Sequence, residues 1–120
     1  MKQSFRDLLV WQKAMTLVID IYRITGEFPR EERYGLTAQI RRAAVSVPSN
    51  IAEGQARRTR GEFMNFISQA EGSLAEVDTQ LIIAVELGFV QPAHIGEFAD
   101  LVSECQRMLS SLRSRLMIDK

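Results

Sequence analysis

Apolar residues recur at helical spacing in four stretches of this chain, and no stretch alternates with period two for long enough to predict a strand. The first predicted helix runs from about Leu9 to Thr25 and stops at Gly26, with Pro29 just beyond it. Val10, Ala14, Leu17, Val18, Ile21 and Ile24 form its core stripe. Trp11, Met15, Ile19 and Tyr22 lie on an adjoining face, so apolar groups cover well over half the circumference. One helix of a monomeric bundle needs a stripe only somewhat wider than about 100°. The excess predicts a second buried contact, with Trp11, Met15, Ile19 and Tyr22 as candidates for a self-association surface.

The second predicted helix, from about Tyr34 to Ala56, puts Leu36, Ile40, Ala43, Ala44, Val47, Ile51 and Gly54 on one side. Small residues dominate this seam, so a neighbouring backbone can come close. Pro48 lies inside it and removes a backbone hydrogen bond, which predicts a kink, with a break at Ser46–Pro48 as the alternative. A linker from Ala56 to Gly61 follows, and Thr59-x-x-Glu62 has capping-box spacing. The third helix, from about Arg60 to Leu87, carries a stripe from Phe63 to Val85 over about seven turns and ends at Gly88. Pro92, at an N1-like position, is expected to open the fourth helix, which runs to about Met117 with Phe98, Leu101, Val102, Cys105, Met108, Leu109, Leu112 and Leu116 inward. Short connections between such helices favour antiparallel neighbours. The expected fold is all-α, a single domain over residues 1–120 built as an antiparallel up-down-up-down four-helix bundle.

Composition sharpens this picture. The chain of 120 residues is 46% hydrophobic and 25% charged, values of an ordinary globular domain rather than a disordered one. It has a single Cys, so no internal disulfide or Cys-cluster zinc site can form. No secretory leader is legible at the start and no apolar run approaches the ~20 residues of a membrane span, so a cytoplasmic protein with no membrane partner is expected. The formal net charge is zero, but the signs are sorted: residues 1–29 sum to +1, 30–60 to +4, 61–106 to −8 and 107–120 to +3. Opposite-sign helices packed side by side are one reading, and arginine-rich ends forming an anion-binding patch are the other.

Catalytic patterns are sought without success. A di-iron bundle needs two Glu-x-x-His motifs, and the one histidine, His94, follows Pro92 at a helix start, where a surface role is expected. Cys105 lies on an apolar stripe and reads as an inert core thiol. No phosphate-binding loop, dinucleotide fingerprint or Ser/His/Asp motif can be assembled. The expectation is a non-enzyme that takes no cofactor and no metal. Two constellations remain. Glu71 and Asp78 fall at the edge of the third helix's stripe, with Arg41 and Arg42 on the preceding helix as expected counter-ions in a register-fixing ion pair. Arg57, Arg58 and Arg60 sit at a helix–helix corner, and guanidinium forks suit phosphate. No aromatic residue is interleaved with them for base stacking.

One resemblance goes further than spacing. Phe5-Arg6-Asp7-Leu8, then Val10-Trp11-Gln12-Lys13-Ala14, then Leu36-Thr37-x-Gln39-Ile40-Arg41-Arg42-Ala43-Ala44-Val45-Ser46-Val47-Pro48-Ser49-Asn50-Ile51-Ala52-Glu53-Gly54 resemble the bacterial four-helix bundle proteins encoded in intervening sequences of 23S ribosomal RNA genes. The accessory variability determinant of diversity-generating retroelements is in the same superfamily. The resemblance covers nearly the whole chain and implies a ring-like homopentamer in which a helical proline is retained. The ribosomal-gene members carry no assigned activity, while the retroelement member resembles an adaptor that binds a reverse transcriptase and nucleic acid through a strongly basic surface. This chain departs from that feature, having zero net charge. Two functions are therefore expected as alternatives: an accessory protein binding RNA or DNA weakly through Arg57, Arg58 and Arg60, with Arg41 and Arg42 as further candidates, or an oligomeric scaffold for a protein partner.

Overall fold

The computed structural model describes residues 4–118, and every regular element among them is helical. Four long helices make up the molecule: α1 (Leu9–Thr25), α2 (Leu36–Gln55), α3 (Arg60–Glu86) and α4 (Gly96–Ile118). Together they form a bundle 48 Å long and 24 by 20 Å across. One continuous apolar core runs through all four, with Leu17 and Ile21 of α1, Ile40 and Ile51 of α2, Ile67 and Leu74 of α3, and Leu109 of α4 fully buried.

The helix ends follow local chemistry. α1 stops at Gly26, and the chain turns so that Phe28 is buried against Phe89 from the α3–α4 connection, ring centroids 5.6 Å apart. α3 opens on Thr59, whose hydroxyl accepts from the Glu62 amide at 3.1 Å and lies 3.1 Å from the Glu62 carboxylate. It closes at Gly88, where φ is +78°: the amide of Phe89 reaches back to Ala84 and that of Gly88 to Val85, the paired bonds of a Schellman end, which needs a residue without a β-carbon penalty at this φ.

Two expected boundaries move. α2 begins at Leu36 rather than near Tyr34, because residues Arg30–Glu32 form a separate 3-10 turn and the Glu32 carboxylate accepts from the Leu36 amide at 2.9 Å. Pro92 does not open α4. It starts a 3-10 turn, Pro92–His94, closed by bonds from His94 to Gln91 and from Ile95 to Pro92, and α4 proper starts at Gly96. Proline's fixed φ suits a tight turn as well as a first helical turn. At Pro48 the α2 helix is continuous, so the alternative of a break is excluded, and the ring is buried in the core layer.

Candidate nucleic-acid interface

The signature stretch of α2 turns out to be a packing seam. Ser46 shares a hydrogen bond of 2.8 Å with Ser73 on α3, and Asn50 donates through its side-chain amide to both the carbonyl and the hydroxyl of Ser46 at 2.8 Å. One turn further on, Gly54 faces α3 so closely that a β-carbon added to it would lie 2.7 Å from Phe66 Cβ and 2.9 Å from Phe63 Cδ1. The small residues thus let two backbones approach. The polar ones satisfy each other inside the contact.

The five arginines expected to act together are divided between two places. Arg41 and Arg42 are near the start of α2, and Arg57, Arg58 and Arg60 lie beyond its end, about 24 Å away along the axis from Arg41 to Arg57 at 1.5 Å per residue. At the far corner Arg57 bonds the Glu53 carboxylate at 2.9 Å and rests over the Phe66 ring, 4.9 Å from its centroid. Arg58 and Arg60 are exposed and enter no ion pair among the described residues. The corner therefore has an aromatic neighbour that reading along the chain missed, since Phe66 arrives from α3 six residues past Arg60.

The expected bridge from Arg41 or Arg42 to Glu71 or Asp78 is absent among the described residues. Glu71 is instead gripped by Arg113 of α4, with Nε 3.0 Å from Oε1 and the second nitrogen 3.3 Å from Oε2. Arg41 turns the other way, toward α1: its Nε donates to Thr25 Oγ1 at 2.8 Å, a terminal nitrogen donates to the Tyr22 carbonyl at 3.1 Å, and the guanidinium stacks 4.5 Å from the Tyr22 ring centroid. The physical reason is rotation. Arg41 lies on the flank of α2 that meets α1, while Glu71 lies on the flank of α3 that meets α4. Lys13 of α1 and Glu104 of α4 form a second interhelical pair at 3.3 Å, so opposite-sign helices do meet, through residues other than those expected.

On α1, Trp11 is half-buried and packs edge-on against Phe5 at 5.3 Å, which removes it from the outward stripe. Met15, Ile19 and Tyr22 remain exposed by 36%, 47% and 45%, three apolar side chains one turn apart on one face. Val45 of α2 lies beside Tyr22 and extends this surface. His94 stands exposed in the Pro92–His94 turn. Cys105 is buried between α4 and the core, and burial, with Glu104 adding to it, pushes its thiol from 9.0 up to about 11. No helix among the described residues is long and apolar enough to cross a membrane.

Known proteins match this architecture. A family model described as 23S rRNA-intervening sequence protein matches residues 6–111. Among solved structures, a protein of unknown function from the S23 ribosomal protein family of Bacteroides thetaiotaomicron superposes with a TM-score of 0.82 at 19% identity, covering 88% of this chain and 96% of the other. No curated protein matches the chain.

Proposed function

The chain belongs to the 23S rRNA-intervening sequence protein family, and from that premise we propose that it is a non-enzymatic, self-associating accessory protein that binds RNA or DNA weakly through arginine–phosphate contacts. The observation that carries the reading is the α2–α3 corner, where Arg58 and Arg60 project into solvent with no carboxylate partner among the described residues and Arg57 is steadied beside them by Glu53 and Phe66. Unneutralised guanidinium groups gathered at a helix–helix corner favour phosphate, and such contacts carry no base information. A non-catalytic role is supported by the buried Cys105 thiol, which burial holds protonated and so unready as a nucleophile.

The protomer reads as an antiparallel up-down-up-down bundle. Residue pairs whose numbers run in opposite directions, Ser46 with Ser73 and Gly54 with Phe66, support this for α2 and α3. Assembly is supported by the stripe Met15, Ile19 and Tyr22, and the family resemblance implies five copies in a ring. A location in the cytoplasm belongs to the same proposal.

A salt titration of binding to structured RNA tests the reading, comparing the wild type with Arg58→Ala/Arg60→Ala. Removing two phosphate contacts is expected to weaken binding and to flatten the slope of log K against log salt by nearly two. No binding by the wild type even at low salt would overturn it in favour of the second reading, an oligomeric scaffold for a protein partner, which the same exposed stripe on α1 suits.

A further inference from the structure

At the end of the bundle away from the Arg57 corner, α1 passes into α2 around a concavity of about 480 Å³. Arg30, Arg33 and Arg41 line it together with Thr25, Phe28 and Thr37, and no carboxylate is among its walls. A second concavity of about 500 Å³ shares Arg33, Thr37 and Arg41 and continues to Tyr34 and Arg42. Four arginines thus border one continuous surface. None of them enters an ion pair among the described residues.

Three features set this surface apart from a chance gathering of charge. Arg41 is fixed in place by Thr25 and the Tyr22 carbonyl, which occupy two of its five N–H groups and leave three for a ligand. Thr37 is only 8% exposed, lines both concavities, and its hydroxyl makes no hydrogen bond among the described residues. Gln80 Oε1 is the one side-chain polar atom both sealed from solvent and unpartnered among the described residues, so the Thr37 hydroxyl opens on the concavities, where a ligand can reach it. Thr37 also lies in the first turn of α2, where the amides of Thr37 and Ala38 find no backbone acceptor and the helix presents its positive end. Glu32 keeps its charge while it accepts from the Leu36 amide, but neither it nor the exposed Glu31 is among the walls of either concavity.

Beside this anion pocket stands Tyr34, 86% exposed, with Arg33 placed 5.5 Å from its ring centroid. A large aromatic side chain that buries almost nothing in the protomer offers a flat face next to the guanidinium groups. Phosphate recognition beside a free aromatic face is the chemistry of a single-stranded nucleic acid, whose backbone tracks basic groups while a base stacks. We infer that the α1–α2 end is a discrete binding site for single-stranded nucleic acid, with a phosphate held by Arg30, Arg33, Arg41 and Thr37 and the neighbouring base stacked on Tyr34. The inference rests on the nucleic-acid reading above and adds, at the opposite end of α2, a contact for one base and its phosphate to the phosphate contacts of the Arg57 corner.

Fluorescence anisotropy with a short fluorescein-labelled oligoadenylate tests this on the full chain. Arg30→Gln/Arg33→Gln is expected to weaken binding at least tenfold, Tyr34→Ala about tenfold, and Thr37→Val by a smaller factor, because stacking and charged contacts each contribute on that scale. Arg58→Gln/Arg60→Gln should weaken binding of this short probe by a smaller factor than Arg30→Gln/Arg33→Gln does, because an oligonucleotide that fills one site does not span to the other end of α2. All but one of the altered side chains are exposed, so the fold tolerates their loss; Thr37→Val keeps the shape of the one that is buried. Loss confined to Arg58→Gln/Arg60→Gln, or equal losses from the two arginine pairs, would overturn the site while leaving the nucleic-acid reading intact. An unchanged affinity in Tyr34→Ala would overturn the stacked base. Absence of wild-type binding to this probe and to structured RNA would overturn both.

Discussion

Gly54 is the position where one methyl group decides the sign of a mutation. In an isolated helix Gly→Ala is stabilising by as much as ~1 kcal/mol. Here the new β-carbon would sit 2.7 Å from Phe66 Cβ, an atom tied directly to the α3 backbone, so the helices themselves must separate. Overpacking of this kind costs about 1–3 kcal/mol, and Gly54→Ala is expected to lower the urea midpoint despite its better helix propensity. A raised midpoint would refute the close α2–α3 contact at this position. Glu71 and Arg113 make a different prediction. Both are half-exposed, so their two-point contact is screened, and a double-mutant cycle with Glu71→Ala and Arg113→Ala should give a coupling of about 0.5–1 kcal/mol that shrinks in high salt. Asp78→Ala, which breaks no ion pair among the described residues, should shift stability by less than about 0.5 kcal/mol. At Cys105 the folded thiol is raised to about 11 from 9.0, so the folded state binds the proton more tightly than the unfolded one. Stability is therefore unaffected by this group below about pH 9 and falls as pH rises from there toward about 11. A thiol reagent near pH 8 should modify the native protein far more slowly than the urea-unfolded chain, and equal rates would refute the burial.

At the level of whole helices, what the sequence discloses depends on whether a feature is local. The ends of α1 and α3 are legible because glycine and proline act on the residues next to them, and Thr59 with Glu62 marks the start of α3 by spacing alone. Pro92 misleads for the same reason: its local preference is met equally by a 3-10 turn, which here closes at Ile95, half-buried against the core. Phe28 and Val90, both buried, lie in connections where no periodicity flags them. Pairing between helices is a matter of rotation and register, which spacing does not specify. Arg41 and Glu71 have plausible positions on their own helices and are nevertheless turned toward different neighbours. Only part of the α1–α2 surface is legible in the sequence: Arg41 and Arg42 stand out as phosphate candidates, while Arg30, Arg33, Thr37 and Tyr34 draw meaning only from the turn that gathers them at the start of α2.

For the molecule as a whole, the proposed self-association turns on Met15, Ile19 and Tyr22. These side chains lie one turn apart on the outer face of α1 and continue onto Val45, an apolar surface that a protomer leaves in water. Burial in a contact between copies would remove that area from solvent, and a charge placed there would have to be desolvated without a partner. If the proposed assembly forms through this stripe, Ile19→Glu is expected to reduce it to the scattering mass of the 13.6 kDa chain, while leaving the helical signal and the core unchanged, since Ile19 is nearly half exposed. A wild-type chain that already scatters as a monomer would refute assembly. The same variant probes function, because Ile19 itself lines neither concavity of the α1–α2 end, which the stripe meets only at Tyr22 and Val45. If several protomers engage one long RNA, each binding event raises the effective concentration of the next, and avidity exceeds single-site affinity by roughly 10²–10⁴. A net-neutral protein has little long-range attraction to compensate for the loss of those linked contacts. Ile19→Glu should thus bind long RNA at least tenfold more weakly than the wild type, yet bind an oligonucleotide short enough for one site with unchanged affinity. Equal weakening on both probes would mean that the substitution disturbs the site itself, and no weakening on either would mean that the copies act alone.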